Sequence, residues 1–247
     1  MNKKVTGIVI KSVEINEADK LVTLLTASDG KMTVLFKGVK KPKAKLKVAA
    51  EPFCFGEYEL VEKNGRYIAS GFTLIELFYT LRGDIEKFYL ASAMLETALH
   101  SADENEPSGD ELVALVSALT KISECKANIA YLAIKLVFGM LGALGYSIKT
   151  FDCAVCGKEI SGKAFFTYDS CLFYCPDCAG DGRSEIDKNT FSLIKNCVTL
   201  PESELEKLPF DGAAALAALR ILYKLEYFKL YFKNESLAAF AKLVNTH

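Results

Sequence analysis

Four cysteines in two short pairs are the residues of this chain whose spacing points most directly to a chemistry. Cys153 and Cys156 form one Cys-x-x-Cys pair, Cys175 and Cys178 form the second, and 18 residues separate the pairs. Each pair folds back as a turn and directs both sulfurs to one point, so the four thiolates can complete a tetrahedral shell around one zinc ion. The pattern predicts a small metal-stapled module within a longer chain.

A zinc ion bound by four sulfurs is typical of a structural site, because no position stays open for water. The alternative is a catalytic zinc ion, as in a zinc-dependent hydrolase or deaminase. A zinc deaminase would carry a His-x-Glu motif ahead of its Cys-x-x-Cys pair. The two histidines of the chain, His100 and His247, are not in that context. We therefore predict a structural zinc ion and keep the hydrolase or deaminase as the alternative.

The remaining cysteines have simpler interpretations. Cys171 lies four residues before Cys175 and could compete as a metal ligand, but a small buried residue or a free thiol is the favoured interpretation. Cys54, Cys125 and Cys197 fall in predicted strands or helices. We expect these three in the core.

Residues 1–80 have the alternating pattern of β-strands. Met32, Val34 and Phe36 alternate with mostly polar neighbours, and Asp29-Gly30 and Asn64-Gly65 are hairpin signals. Five strand-sized runs are predicted: Val5–Val13, Leu21–Ala27, Lys31–Lys37, Phe53–Glu62 and Tyr67–Leu77. Five short strands within about 80 residues suit a small barrel, for which the five-stranded oligonucleotide/oligosaccharide-binding (OB) barrel is the leading candidate.

Beyond Leu81, apolar residues recur at the three- and four-residue spacing of helices. The predicted helices, with their caps, are 84–102, 108–125, 127–144 before Gly145, 188–197 after Asp187, Asp211 to about Lys233, and Glu235–Val244. The cysteine module at about 151–180 therefore interrupts a helical segment. The expected fold class is α+β, with an OB barrel over 1–80 and an all-helical domain over 81–247 that carries an inserted four-cysteine zinc module.

A dense run of lysines is the second feature with a chemical meaning. Six lysines fall within 11 residues, and no acidic residue lies between Gly30 and Ala50. The six are Lys37, Lys40, Lys41, Lys43, Lys45 and Lys47. Gly38 and Pro42 predict an exposed loop after a strand, and a dense cationic loop attracts phosphates with steep salt dependence. A plain solvated loop is the alternative.

Four further basic residues could extend this patch: Lys11, Lys20, Lys31 and Arg66. The charge distribution favours the same half of the chain, because residues 1–80 carry a net charge of +4 and residues 81–247 a net charge of −5. An anionic partner is therefore expected at the N-terminal half. Lysines contact phosphates and carry little base information, so the binding should be weakly specific.

The aromatic residues favour core positions over binding positions. Phe36, Phe53, Phe55, Tyr58 and Tyr67 could stack nucleobases, but strand alternation places some of them inward. The last long helix carries Tyr223, Tyr227, Phe228, Tyr231 and Phe232 at helical spacing. Such a stripe is more often core than a docking groove. A pocket for a partner peptide is the alternative for this helix.

The chain lacks the sequence motifs of several enzyme classes. The chain has no phosphate-binding Gly-x-x-x-x-Gly-Lys-[Ser/Thr] loop, no dinucleotide fingerprint and no Gly-x-Ser-x-Gly elbow. ATP-driven work is therefore not expected. The start at Met1-Asn2-Lys3-Lys4 gives no secretory signal, and the apolar stretch 129–146 is interrupted by Lys135. With two Cys-x-x-Cys pairs and no targeting segment, a reducing cytoplasm is the expected compartment.

Taken in order, several short motifs give the chain a resemblance to the bacterial RecO family along nearly its whole length. The motifs are Gly7-Ile-Val-Ile-Lys-Ser, Asp19-Lys-Leu-Val-Thr-Leu-Leu-Thr, Gly30-Lys31, Lys37-Gly-Val-Lys-Lys-Pro-Lys43, Glu51-Pro-Phe, Leu144-Gly-Tyr and Cys153-Ala-Val-Cys-Gly. The resemblance implies an N-terminal OB barrel and a helical domain with a zinc module. One departure is that many members have Gly-Gly where this chain has Cys171-Leu172.

The resemblance also implies a role. Proteins of this family bind single- and double-stranded DNA and anneal complementary strands. With a RecR partner they help to load RecA onto DNA coated by single-stranded-DNA-binding protein (SSB), whose C-terminal tail docks on the helical domain. They are not enzymes and are expected at the bacterial nucleoid. An RNA-binding factor that uses the same barrel is a further alternative.

Overall fold

The structure is a computed structural model that describes residues 2–245, so Met1, Thr246 and His247 lie outside the described residues. It forms two compact units. The first comprises the chain up to Gly83 together with Leu95–Thr120, and the second comprises Asp84–Met94 and the chain from Lys121 onward.

The first unit contains five strands that close into a barrel. They are β1 Asn2–Glu14, β2 Lys20–Thr26, β3 Gly30–Phe36, β4 Phe55–Lys63 and β5 Arg66–Glu76. Their order is β1-β2-β3-β5-β4, with β1 and β4 also paired. All pairs are antiparallel except β3 with β5, where Val34 lies beside Tyr67. The predicted OB-type barrel is confirmed, with strand ends shifted by a few residues.

Three aromatic residues of the first 80 positions are fully buried in the barrel unit. Phe36, Phe53 and Tyr58 are buried, and Phe36 and Tyr58 meet edge to face at 6.3 Å between ring centroids. The Tyr58 hydroxyl donates to the carbonyl oxygen of Cys54 at 3.0 Å, and burial raises the pKa of this phenol. The expected core positions of Phe36, Phe53, Tyr58 and Cys54 are confirmed.

The β2–β3 hairpin is fixed by a close approach of backbone to backbone. Gly30 has a φ of +60°, and a Cβ atom there would lie 2.3 Å from the Asp103 carbonyl oxygen. The Lys31 amide donates to that same oxygen at 2.9 Å, and the Asn105 amide donates to the Asp29 carbonyl at 3.1 Å. Glycine is required here because any side chain would displace the 103–106 segment.

The remaining elements are helices and one small sheet. They are α1 Ile85–Ser101, α2 Gly109–Glu124, α3 Ile129–Ala143, β6 Ala164–Thr167, β7 Leu172–Tyr174, β8 Ser184–Ile186, α4 Lys188–Thr199, α5 Glu202–Leu205, α6 Gly212–Leu230 and α7 Glu235–Val244. Helix α1 contributes residues to both units. In the second unit α3 packs against α4 and α6, and α6 packs against α7.

The predicted helix caps are confirmed. The Asp187 carboxylate accepts from the amides of Asn189 and Thr190, and Asp211 accepts from Ala214. Gly145 follows α3 with a φ of +87°, and the Tyr146 amide donates back to the Leu141 carbonyl at 2.8 Å. These groups satisfy backbone donors and acceptors that the helix ends leave open.

Lys135 explains how a charge fits within the apolar helix α3. Its Nζ donates to the carbonyl oxygens of Leu200 at 2.8 Å and Cys197 at 3.3 Å, at the C-terminal end of α4. A cation at a helix C-terminus also complements the helix dipole. Within the described part of the chain, every helix is too short or too polar to cross a membrane.

The helical domain after Leu81 is confirmed, and the region of the cysteine module adds an antiparallel sheet, in the order β7-β6-β8, that the sequence pattern did not predict.

Three expectations require correction. The last long helix ends at Leu230 and not near Lys233, because Tyr231 adopts the left-handed conformation. Cys125 lies just beyond α2 and is partly exposed, whereas Cys54 and Cys197 are buried.

The third correction concerns the aromatic stripe of α6. Phe232 is buried as expected, but Tyr227, Phe228 and Tyr231 are exposed to solvent. The core interpretation is therefore wrong for these three rings.

Candidate metal centre and nucleic-acid interface

The two cysteine pairs converge on one point. The Sγ atoms of Cys153, Cys156, Cys175 and Cys178 all lie within 4.8 Å of one another, and those of Cys156 and Cys175 are 3.9 Å apart. A tetrahedron with Zn–S bonds of ~2.3 Å has sulfur–sulfur edges of ~3.8 Å. The predicted ligand set therefore has the spacing that one zinc ion requires, and Cys171 lies outside it.

Each pair is shaped by backbone hydrogen bonds. The Cys153 amide donates to the Lys158 carbonyl at 2.9 Å, and the Gly157 amide donates to the Cys153 carbonyl at 2.8 Å. Gly157 has a φ of +69°, a conformation that glycine adopts at no steric cost. In the second pair, the Cys178 amide donates to the Cys175 carbonyl at 3.1 Å. Both turns are thus formed by the chain itself.

The acidities of the thiols show why the cluster suits a cation. Burial opposes ionisation of Cys153, but backbone amides of Cys156, Cys175 and Val155 lower the pKa of this thiol to about 6. The hydrogen bond with Cys175, together with burial and the other nearby thiols, raises the pKa of Cys178 to about 12. Ionisation of one thiol therefore makes ionisation of the next thiol less favourable. A divalent cation at the centre of the cluster would offset this repulsion between thiolates.

An aromatic cluster fastens the module to the helices of its unit. The Phe173 ring of β7 stacks on Phe151 at 5.4 Å between centroids and meets Phe191 of α4 edge to face at 5.1 Å. Phe166 of β6 lies 4.9 Å from Phe173 between centroids. Since large aromatic rings dominate core energetics, the staple and the helices are expected to fold as one structure.

Cys171 occupies a position that favours glycine. It ends the turn between β6 and β7 with a φ of +56° and donates its amide to the Thr167 carbonyl at 3.1 Å. Its side chain is buried, and burial raises the pKa of the thiol. The expected small buried residue is confirmed, and the unfavourable backbone conformation explains why glycine suits this site.

The lysine loop, residues 37–47, is a chain of turns and not a free projection. Backbone hydrogen bonds link Lys41 to Gly38, Ala44 to Lys41 and Lys47 to Ala44. Val39 is buried in the barrel core, and Leu46 packs against the same core. Two apolar residues thus hold the loop down while most of its charged side chains are exposed to solvent.

Asp19 joins this loop to the turn between β1 and β2. Its carboxylate accepts from the Asn16 side chain at 3.0 Å and from the Gly38 amide at 2.6 Å. These two hydrogen bonds, with Lys37 and Lys41 nearby, lower the pKa of Asp19. The carboxylate consequently stays ionised and fixes the first turn of the lysine loop.

The structure divides the ten predicted DNA-binding residues into two groups. Three are engaged within the barrel unit, because Lys20 pairs with Glu51, Lys40 pairs with Glu14, and Lys31 donates to the Leu99 carbonyl at 2.9 Å. The other seven have exposed side chains: Lys11, Lys37, Lys41, Lys43, Lys45, Lys47 and Arg66.

Strand register places Lys11 and Arg66 on one outer face of the barrel. Lys11 lies opposite Thr23, which lies opposite Thr33, and Arg66 directly precedes Tyr67, the partner of Val34. The adjacent row along the same face is aliphatic: Val13, Leu21, Leu35 and Ile68. Sequence reasoning missed this row, although its members alternate with the core residues of each strand.

The second unit carries an apolar groove of about 380 Å³ between α6 and α7. Its walls include Leu216, Leu219 and Leu237, and its rim carries three cations, Arg220, Lys224 and Lys242. An apolar floor with a basic rim suits a peptide that offers both apolar side chains and a negative charge.

We expect Cys153→Ser to lower the free energy of unfolding by about 3 kcal/mol or more, because a structural zinc ion supplies ~10–16 kcal/mol of apparent binding energy. Elemental analysis should find one zinc ion per chain in the parent and less in the variant, with a lower melting temperature. Cys125→Ser is the matched control, since that thiol lies outside the cluster. Equal metal content and stability in both variants contradict the staple.

We expect Cys171→Gly to be about 1 kcal/mol more stable than Cys171→Ala, because only glycine adopts the left-handed conformation without cost. Thermal unfolding of both variants measures the difference. The same two substitutions, to glycine and to alanine, at Ser192, an exposed position within α4, should give the opposite order of stability. A less stable glycine variant at both sites would show that the turn is not strained.

Family models cover most of the chain. The model described as Recombination protein O N terminal matches residues 1–78, and the one described as Recombination protein O C terminal matches residues 82–234. Among curated relatives, the DNA repair protein RecO of Caldanaerobacter subterraneus subsp. tengcongensis is 24% identical over 95% of this chain and 96% of its own length.

Two further relatives carry the same name. The DNA repair protein RecO of Acetivibrio thermocellus is 28% identical over 71% of this chain and 70% of its own length. That of Shouchella clausii is 31% identical over 72% of this chain and 69% of its own length. With both family models matched in chain order, the protein belongs to the RecO family of DNA repair proteins.

Proposed function

We propose that this protein is a recombination mediator that binds single- and double-stranded DNA and anneals complementary strands. With RecR, it helps to load RecA onto SSB-coated single-stranded DNA. The observation that carries the proposal is the lysine loop, whose exposed cations are held on an ordered backbone. Residues 1–80 act as the DNA-binding domain and residues 81–247 as the helical domain. The protein works at the nucleoid in the cytoplasm.

Annealing needs no chemical step. Two strands repel each other through their phosphates, and a cationic surface lowers that repulsion by displacing counterions. The exposed lysines of the loop and the outer barrel face with Lys11 and Arg66 supply such a surface. Because lysines contact phosphates, the protein should bind any sequence and should not need ATP.

The metal has a structural role in this proposal. Four sulfur ligands satisfy a tetrahedral zinc ion, so the cluster offers no position for an activated water molecule. The zinc-dependent hydrolase or deaminase is thus the weaker interpretation. The RNA-binding alternative predicts higher affinity for RNA than for DNA of equal length, because only RNA offers a 2′-hydroxyl group.

Replacing Lys41, Lys43, Lys45 and Lys47 by Gln should weaken DNA binding and flatten its salt dependence. On a single strand, each phosphate contact that is lost reduces the steepness of the plot of log K against log salt by ~0.7. A salt titration with a fluorescent oligonucleotide measures the slope, and annealing of the complementary strand is followed in the same samples. The annealing rate should fall in parallel.

The control carries the same charge change elsewhere. Lys126, Lys149, Lys188 and Lys207 are also exposed, and all lie in the second unit. Their replacement by Gln should leave the slope close to that of the parent. Equal slopes for the two quadruple variants would mean that net charge, and not the lysine loop, governs binding.

We propose further that the groove between α6 and α7 takes the C-terminal tail of SSB. A chain terminus brings its own carboxylate, which the basic rim can pair while apolar side chains fill the floor. Arg220→Glu with Lys242→Glu should weaken binding of a labelled tail peptide by about tenfold or more. Lys188→Glu, on α4, is the control. Unchanged peptide affinity in the double variant would remove the groove from the proposal.

A further inference from the structure

Three exposed aromatic rings at the end of α6 form a surface that the barrel-based function leaves unexplained. Tyr227 is 52% exposed, Phe228 is 48% exposed and Tyr231 is 88% exposed. We call these three residues the aromatic platform. Such side chains normally contribute to a core, so a group of them in solvent marks a contact surface.

The backbone at Tyr231 strengthens this conclusion. Tyr231 follows the last turn of α6 with a φ of +55°, and its amide donates to the Tyr227 carbonyl at 3.0 Å. Glycine is the usual residue at such a helix end, because a side chain is disfavoured in the left-handed conformation. A tyrosine here gains little from packing, since its ring is almost fully exposed.

Basic residues predominate along the helix end that carries the platform, and one exposed acid, Asp169, lies beside Lys229. Lys224, Tyr227, Phe228 and Tyr231 follow the i, i+3, i+4, i+7 spacing of one helix face. From Arg220 to Lys233 the exposed or partly exposed charges are all basic, and the one acid of that stretch, Glu226, is fully buried. The occupant should therefore be negatively charged.

Lys229 joins the cationic and aromatic features. Its Nζ lies 5.9 Å from the Phe228 ring centroid and 4.9 Å from that of Tyr146, and it donates to the Asp169 carbonyl oxygen. Tyr168 lies 6.5 Å from Phe228 between centroids. The rings and the ammonium group thus occupy one surface of the second unit.

We propose that the aromatic platform binds single-stranded nucleic acid by stacking unpaired bases on its rings while the lysines contact the phosphates. Flat exposed rings with interspersed cations are the features that single-strand-binding surfaces combine. A duplex hides its base faces, so the platform discriminates single strands from duplexes. This surface belongs to α6 and not to the lysine loop; it adds a second contact to the single-strand binding proposed above, and the inference rests on that proposed function.

The test combines Tyr227→Ala and Tyr231→Ala in one full-length variant and compares it with the parent. Its affinity for a fluorescent single-stranded oligonucleotide should fall by about tenfold, the order expected for the loss of one or two stacked bases. Affinity for the duplex, and for an oligonucleotide with abasic sites, should match that of the parent. The salt slope should also stay unchanged, because no cation is removed.

Two further variants separate stacking from folding. Tyr227→Phe with Tyr231→Phe keeps the rings and should retain the parent's affinity. The chain has no tryptophan, so Tyr231→Trp introduces a single fluorescent reporter on the platform. Its emission should be quenched by the single strand and not by the abasic oligonucleotide.

The proposal is overturned if the alanine variant binds the single strand as tightly as the parent does. It is overturned as well if affinity for the duplex and abasic oligonucleotides falls equally. Unchanged DNA affinity with abolished binding of RecR would overturn it too and would assign the platform to protein docking. The lysine-loop variant distinguishes the two proposals. If that variant binds DNA weakly while the platform variant binds as tightly as the parent, the mediator function is supported and this inference is rejected.

Discussion

Crowding of like charge is the constraint that the two candidate functional regions of this protein share. The lysine loop gathers cations over residues 37–47, and the cysteine module gathers four sulfurs that must ionise together to bind a metal. In each region the charges would separate if the backbone were free. The surrounding structure must therefore supply enough binding energy to hold them together.

The two regions meet this constraint by different means. The lysine loop uses buried apolar side chains and the ionised carboxylate of Asp19, which hold the backbone while leaving the lysines in water, where their repulsion is weak. The cysteine module uses backbone amides that favour the Cys153 thiolate, and its four sulfurs lie close enough together to bind one metal ion at their centre. The backbone of the loop is therefore ordered by the chain itself, whereas a bound metal ion would complete the module. An ordered loop loses less entropy on binding DNA than a flexible one would.

Local patterns made most of the fold and the metal site predictable. The strand alternation, the Asp187 and Asp211 caps and the Cys-x-x-Cys spacing each depend on a few neighbouring residues.

The errors and omissions arose where contacts with residues distant in the sequence decide the structure. Strands β6, β7 and β8 have at most four residues each, too few for a periodic signal. The pairing of Lys20, Lys31 and Lys40 depends on distant residues, so sequence spacing could not separate these lysines from the exposed ones. The core interpretation of the aromatic residues of α6 was wrong because helical spacing shows which face of the helix a side chain occupies but not what covers that face.

Annealing by such a protein has a thermodynamic requirement that the two proposed contacts meet together. A surface that binds both strands through phosphates alone also holds the duplex product, because pairing leaves the phosphates exposed. A stacking surface releases each base as that base enters the helix, since the base faces are then covered. Binding energy from the aromatic platform would therefore favour the unpaired substrate over the paired product. In the proposed arrangement, the electrostatic contact would bring strands together regardless of sequence, and the stacking contact would be released only when pairing succeeds. Under this proposal, the combination would allow the protein to leave the duplex without ATP hydrolysis.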